Sequence, residues 1–145
     1  MAVDPTGRFV YVTSGDNDII SVFTIDPLTG ALTRGPDVGA GAGTFPAFVT
    51  VDPTGRFVYV TNRGDDNVQA FTIEPSTGAL SPGPTASTNN NPASVAVDPS
   101  GRFAYVANAD AVTFSVFTID SVTGTLSPGT NFVAPGTGIS VVTTP

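Results

Sequence analysis

The side chains that could carry out chemistry in this sequence are carboxylates in short loops. Its 145 residues include no histidine and no cysteine, which excludes Ser-His-Asp and Cys-His catalytic units, Cys/His zinc sites and disulfides within the chain. The carboxylates that remain could activate a water molecule, or could bind Ca²⁺ or Mg²⁺ through their oxygens. The candidate ligand-binding residues are Asp16, Asp18, Arg63, Asp65, Asp66 and Asp110.

These acidic loops also have a structural explanation. The pair Asp16 and Asp18, and the acidic run at residues 65–67, lack the ligand spacing of a complete calcium loop, so we interpret them as solvated turn residues. We therefore predict no cofactor and no metal site, with Ca²⁺ or Mg²⁺ as the alternative, and we assign no catalytic residue. The amides of residues 89–91 could bind a sugar, but we expect them to face water.

Charge and hydropathy argue against two classes of partner. Five basic residues against twelve acidic ones give a net charge of -7, which opposes binding to a nucleic-acid backbone or to an anionic membrane surface. No apolar run approaches the roughly 20 residues of a membrane span, and no leader precedes the first motif. We expect a soluble chain whose compartment the sequence does not specify.

Internal repetition is the strongest pattern in the sequence. The motif Asp-Pro-Thr/Ser-Gly-Arg-Phe begins at Asp4, Asp52 and Asp98, with spacings of 48 and 46 residues. A second block, Phe-Thr-Ile-Asp/Glu, begins 12 residues after the tyrosine of each repeat. The chain therefore contains three repeats, at about residues 4–51, 52–97 and 98–143, which we interpret as one propeller segment.

Each repeat contains signals for four strands. Apolar β-branched and aromatic runs at residues 8–13, 56–61 and 102–107 predict buried strands, whose phenylalanines and tyrosines should pack between blades. The Asp, Pro and Gly predict tight turns, in which we expect the Asp to cap the turn and to pair with the Arg four residues later. Four strands in 46 to 48 residues are typical of a propeller blade. We predict an all-β fold, a β-propeller of three four-stranded antiparallel blades, with a two-sheet sandwich as the alternative.

The strands of the first blade are predicted to be permuted. Residues 138–143 align with the strands before the second and third Asp-Pro motifs, whereas only three residues precede the first motif. We expect this C-terminal strand to complete the first blade of a neighbouring chain, because three blades fall short of the usual four to eight of a closed ring. We predict a homodimer with six blades, or a homotrimer with nine, assembled by strand exchange through Val3, Phe9, Tyr11, Ile139, Val141 and Thr143.

Two short motifs connect the sequence with a known family. Residues 59–62 read Tyr-Val-Thr-Asn, and residues 105–108 read Tyr-Val-Ala-Asn. Together with the two repeated blocks, they make the chain resemble the YVTN-repeat, lactonase-like propellers related to 6-phosphogluconolactonase over essentially all of its length. The resemblance implies a β-propeller, seven-bladed in most complete members, and lactone hydrolysis. It transfers no catalytic residue to this sequence.

Three interpretations of function remain open on the sequence alone. The first hypothesis is a self-assembling propeller module that acts as a scaffold or ligand-binding surface without catalysis. The alternative is a lactonase-like hydrolase in which an acidic loop residue or Arg63 activates water, directly or through a divalent metal. A third interpretation is a building block excised or amplified from a larger protein. Any ligand is expected at the channel mouth, where the loops differ between repeats.

Overall fold

The sheets of this protein follow one another in sequence order. The structure, a computed structural model, describes residues 1–41, 44–133 and 141. Each of its three sheets contains a path of four antiparallel strands in chain order, and a further short strand lies beside the first and the third path. The all-β, propeller-like fold predicted from the repeats is therefore confirmed.

We call the three sheets blades 1, 2 and 3. Blade 1 consists of β1 (Ala2–Val3), β2 (Phe9–Ser14), β3 (Ile19–Ile25), β4 (Leu32–Arg34) and β5 (Val38–Gly39). Blade 2 consists of β6 (Pro46–Val51), β7 (Phe57–Asn62), β8 (Asn67–Ile73) and β9 (Leu80–Ser87). Blade 3 consists of β10 (Pro92–Val97), β11 (Phe103–Asn108), β12 (Thr113–Ile119), β13 (Leu126–Pro128) and β14 (Phe132–Val133). Within the described residues, no helix has the length and apolar character needed to cross a membrane.

The outer edges of the blades differ in continuity. In blade 1, β4 and β5 both pair with β3, and in blade 3, β13 and β14 both pair with β12. Blade 2 has the single longer strand β9 in this place. This strand contains Pro82 and Pro84, which have no backbone N–H. They are compatible with β9 because it is an edge strand, whose outer side forms no hydrogen bonds to another strand.

The aspartate of each Asp-Pro-x-Gly motif caps its hairpin turn. Oδ1 of Asp4 accepts hydrogen bonds from the backbone N–H groups of Arg8 and Phe9, both at 2.7 Å. The same hydrogen bonds recur at Asp52 and Asp98, so the predicted capping is confirmed. The predicted ion pair with the arginine does not form in the described residues, because the guanidinium of Arg8 extends to the next blade.

Neighbouring blades pack through a contact that occurs twice. The hydroxyl of Tyr11 donates a hydrogen bond to the carbonyl oxygen of Gly78 at 3.1 Å. The ring of Phe9 lies against the same glycine, where an added Cβ would come within 2.5 Å of Cδ1 of that ring. Tyr59 makes the same hydrogen bond to Gly124 at 3.0 Å. The predicted packing of these aromatic side chains between blades is confirmed.

Blade 1 receives its innermost strand from the beginning of the chain. The two-residue strand β1 pairs with β2, at the position where we expected the C-terminal strand of a neighbouring chain. Val3, in β1, is 52% exposed. Val141 lies beside blade 3, where its N–H donates a hydrogen bond to Oγ of Ser94 at 2.9 Å. Ile139 and Thr143 lie outside the described residues, and strand exchange between chains stays a prediction.

Candidate functional site

The loops that differ between repeats meet at one end of the blades. They follow β2, β7 and β11 and precede β6 and β10, whereas the uniform Asp-Pro-x-Gly turns lie at the opposite end. A cavity of about 470 Å³ opens among these loops. Its lining residues are Phe45, Arg63, Gly64, Asp66, Asn90, Asn91 and Asp110. Three of the predicted ligand-binding candidates therefore share one cavity.

Two aspartates with left-handed backbone conformation shape this end of the blades. Asp66 precedes β8 with φ of 49°, and its equivalent Asp18 precedes β3 with φ of 53°. Oδ1 of Asp66 accepts a hydrogen bond from the N–H of Asn91 at 2.8 Å, and Oδ1 of Asp18 accepts one from the N–H of Phe45 at 2.9 Å. Each carboxylate thus positions the residue that precedes the inner strand of the next blade. The sequence did not predict this role in positioning a loop.

Asn91 lies at the centre of the hydrogen bonds around the cavity. Its Nδ2 donates to Oδ1 of Asp110 at 3.0 Å, and its backbone oxygen accepts the N–H of Ala109 at 2.9 Å. Its Oδ1 is buried and has no hydrogen-bond partner in the described part of the chain. The expectation that this amide faces water is therefore wrong. An unpaired buried amide oxygen is energetically costly, so Asn91 is held in place by its other hydrogen bonds at some cost in stability.

Arg63 supplies the positive charge of the cavity. Its backbone N–H donates to the carbonyl oxygen of Phe45 at 3.1 Å, but its exposed guanidinium makes no hydrogen bond or ion pair with residues 1–41, 44–133 or 141. By contrast, the guanidinium groups of Arg8 and Arg56 bind carbonyl oxygens of the next blade. The guanidinium of Arg63 is thus available to an anion or to a polarised carbonyl group.

Asparagines at the ends of β7 and β11 hold the adjoining loops closed. Nδ2 of Asn62 donates to Oδ1 of Asn67 at 2.9 Å, across the loop that carries Arg63. Nδ2 of Asn108 donates to Oγ of Ser115 at 2.9 Å. Both asparagines are buried. The last residue of the Tyr-Val-Thr/Ala-Asn motif therefore fixes the shape of a loop and does not face a ligand.

Asp16 and Asp65 do not line the cavity. Asp16 is exposed in the single turn of 3-10 helix after β2, and Asp65 is exposed in the loop after β7. Within the described ranges, no three His, Cys, Asp or Glu side chains gather as a metal-binding group. The described residues therefore provide no ligand set for the calcium or magnesium site considered as an alternative. The candidate site is the cavity around Arg63.

Phe45 and Gly64 belong to the site although sequence inspection did not single them out. Phe45 has φ of 46° and its equivalent Asn91 has φ of 57°. Each precedes a proline that begins an inner strand, Pro46 or Pro92. This shared position before the proline is the signal in the sequence that could have identified Phe45 from its equivalence to Asn91.

Solved structures of three bacterial proteins share this fold. The periplasmic gluconolactonase of Pseudomonas aeruginosa superposes with a TM-score of 0.80 at 28% identity, over 91% of this chain and 38% of that protein. A candidate 6-phosphogluconolactonase from Bacteroides uniformis gives a TM-score of 0.86 at 24% identity, over 91% and 39%. A protein from Lactobacillus plantarum gives 0.86 at 24% identity, over 95% and 42%. The chain spans about two fifths of the length of these proteins.

Sequence comparison adds a family assignment to this likeness of fold. None of the curated proteins matches the chain. The family model described as lactonase, 7-bladed beta-propeller, matches residues 36–143. This match covers about three quarters of the sequence and includes every residue that lines the cavity. The chain therefore belongs to the lactonase family of seven-bladed β-propellers.

Proposed function

We propose that this protein forms part of a hydrolase site for sugar lactones, in which Arg63 binds the lactone carbonyl group. The observation that carries the proposal is the loop cavity, where the guanidinium of Arg63, unpaired within the described residues, lies among the carboxylates of Asp66 and Asp110 and the amides of Asn90 and Asn91. The family match and the likeness to a gluconolactonase favour this hydrolase over a non-catalytic scaffold. Because the chain spans about two fifths of its structural relatives, further blades would complete the cavity.

Lactone hydrolysis requires a base, a stabiliser of the oxyanion and a proton for the leaving oxygen. Asp110 is exposed in the cavity, and its carboxylate would accept a proton from the water that attacks the carbonyl carbon. The carbonyl oxygen then carries negative charge, which the guanidinium of Arg63 would stabilise. Collapse of this intermediate breaks the ring C–O bond. The proton on Asp110 passes to the leaving oxygen, and the product is a hydroxy acid.

The amides would favour a substrate with several hydroxyl groups. The side chain of Asn90 is exposed in the cavity, and its amide can donate hydrogen bonds to sugar hydroxyl groups and accept them. A lactone without hydroxyl groups would forgo these hydrogen bonds and should bind more weakly. The expected preference is therefore for sugar lactones over unsubstituted ones.

Release of acid from gluconolactone tests the proposal, with a buffer blank for spontaneous hydrolysis. Arg63→Gln removes the positive charge, and we expect kcat/KM to fall roughly 100-fold. Asp110→Asn removes the base, and a loss of roughly 100-fold or more is expected. Both side chains are exposed, so circular dichroism spectra should match that of the unmodified protein.

Two further variants serve as matched controls. Asp65→Asn removes a carboxylate from the same loop as Arg63 but outside the cavity, and Arg34→Gln removes an exposed arginine of blade 1. Both variants should keep the rate of the unmodified protein. The proposal is rejected if the protein releases no acid above the blank, or if the control variants lose as much activity as the cavity variants.

A further inference from the structure

An exposed aromatic side chain lies at the cavity in a backbone conformation that is unfavourable for it. Phe45 lines the cavity and is 53% exposed, and its φ of 46° is positive. A bulky side chain with positive φ is a steric outlier. Phe45 therefore combines two energetic costs, a strained backbone and an apolar ring in contact with water.

The equivalent residue before the next inner strand avoids both costs. Asn91 precedes Pro92 as Phe45 precedes Pro46, and the φ of Asn91 is 57°. Asparagine is one of the few residues enriched in this conformation, and the amide of Asn91 donates a hydrogen bond to Asp110. The fold thus accepts a polar side chain at this position, so the turn itself does not require a phenylalanine.

Neighbouring loops hold the backbone of Phe45 on both sides. Its N–H donates to Oδ1 of Asp18 at 2.9 Å, and its carbonyl oxygen accepts the N–H of Arg63 at 3.1 Å. The carbonyl oxygen of Thr44 accepts the N–H of Gly64 at 2.8 Å. These hydrogen bonds stabilise the strained conformation, so the ring projects from a fixed point of the cavity wall.

The exposure of Phe45 does not arise at an end of the sequence. This residue lies in the connection between blades 1 and 2, and its backbone hydrogen bonds join it to loops of both blades. The residues on either side of it, Thr44 and Pro46, are buried. Within residues 44–46, only the phenylalanine lines the cavity.

We infer that the ring of Phe45 binds the apolar face of a closed sugar-lactone ring. The C–H groups on one face of such a ring carry small positive partial charges, which the negative face of an aromatic ring attracts. Because the backbones of Phe45 and Arg63 are hydrogen-bonded to each other, one ligand can contact both side chains. This inference rests on the lactone site proposed above and assigns the group that recognises the closed ring.

Stacking on Phe45 distinguishes the substrate of the proposed reaction from its product. The lactone is a closed ring with an apolar face, whereas the hydroxy acid is an open chain without one. The hydroxy acid carries a carboxylate instead, which the guanidinium of Arg63 can bind. Opening of the ring therefore removes the contact with Phe45, and this favours release of the product.

Equilibrium binding of two ligands separates the contributions of Phe45 and Arg63. The lactam analogue of gluconolactone keeps the closed ring and hydrolyses too slowly to interfere, and gluconate is the open acid. Phe45→Leu removes the aromatic face but keeps an apolar side chain and the strained backbone. The dissociation constant of the lactam should rise roughly 10-fold. That of gluconate should change by less than about twofold.

Two variants serve as controls in the same titrations. Phe132→Leu changes a phenylalanine that is 57% exposed and lies outside the cavity, and it should alter neither dissociation constant. Arg63→Gln should weaken the binding of gluconate, because it removes the charge that binds the carboxylate. In NMR spectra, the ring current of Phe45 should move C–H resonances of the bound lactam upfield in the unmodified protein and not in Phe45→Leu.

Phe45→Asn separates ligand binding from a structural role of the ring. This variant copies the residue at the equivalent position 91, so it relieves the backbone strain and should unfold at a higher urea concentration than the unmodified protein. The dissociation constant of the lactam should nevertheless rise. Unfolding at a lower urea concentration would show that the ring supports the fold, which contradicts the inference.

The titrations also distinguish a failure of this inference from a failure of the proposed function. If the unmodified protein binds neither the lactam nor gluconate, the lactone site and the stacking contact are both rejected. If Phe45→Leu binds the lactam as tightly as the unmodified protein does, the stacking contact alone is rejected and the lactone site stands.

Discussion

At the scale of single residues, backbone conformation decides which side chains are tolerated beside the cavity. The residue before the third strand of each blade has positive φ, and it is Asp18 in blade 1, Asp66 in blade 2 and Val112 in blade 3. Aspartate tolerates this conformation, but a β-branched side chain is strained in it. Val112, with φ of 50°, is therefore a point of stored strain next to the loop that contains Asp110.

Replacement of Val112 by asparagine should stabilise the protein. The change relieves the strain of a β-branched residue with left-handed backbone, and the free energy of unfolding should rise by about 1 kcal/mol. The reverse change, Asp66→Val, should lower it, because it introduces the strain and also removes the hydrogen bond to the N–H of Asn91. Urea unfolding followed by tyrosine fluorescence gives both values. A Val112→Asn variant that unfolds at lower urea than the unmodified protein would contradict this explanation.

The same residues show how far the sequence could predict the site. Arg63, Asp66 and Asp110 were identified because they lie in loops that differ between near-identical repeats. The role of Asp66 was not predictable, since it depends on a left-handed backbone and on a hydrogen bond to a residue 25 positions away. The same holds for Asn91, whose buried oxygen results from three loops meeting.

At the scale of elements, the repeats predicted most of the strands and the turns that join them. The strand pairs β7 with β8 and β11 with β12 lie where the apolar runs placed them. The strands β5 and β14 were not predicted, because two residues carry too little pattern. The ion pair expected within each Asp-Pro-x-Gly-Arg motif was wrong. The sequence does not show that a second blade lies within reach of Arg8 and Arg56, or that the guanidinium of Arg102 lies over the ring of Phe103.

The capping aspartates make the turns sensitive to acid. Burial opposes ionisation of Asp4 and Asp98, but hydrogen bonds from the hydroxyl groups of Thr6 and Ser100 and from backbone N–H groups outweigh it and lower both pKa values. A carboxylate whose pKa is lower in the folded state stabilises the fold above its unfolded pKa, and this contribution is lost as pH falls through the folded pKa. The melting temperature should therefore decrease as the pH is lowered below about 4.

Asp4→Asn tests this explanation. At pH 7 the variant should lose about 1 kcal/mol of unfolding free energy, because a neutral amide oxygen replaces a charged acceptor. The difference from the unmodified protein should shrink as the pH falls below about 4, where the native carboxylate becomes protonated. Asp65→Asn, at an exposed carboxylate outside the turns, should show no such convergence. Thermal melts at a series of pH values give the comparison, and a difference that stays constant across the series would contradict it.

At the scale of the whole molecule, the functional cavity and the contacts that hold neighbouring blades together lie at different ends of the blades. The cavity is formed by loops at one end of blades 2 and 3, with Phe45 from the connection to blade 1. The hydrogen bonds from Tyr11 to Gly78 and from Tyr59 to Gly124 lie near the opposite end, at the turns after the third strands. Substitutions in the cavity should therefore leave the packing between blades intact, so a loss of hydrolysis can be distinguished from a loss of stability.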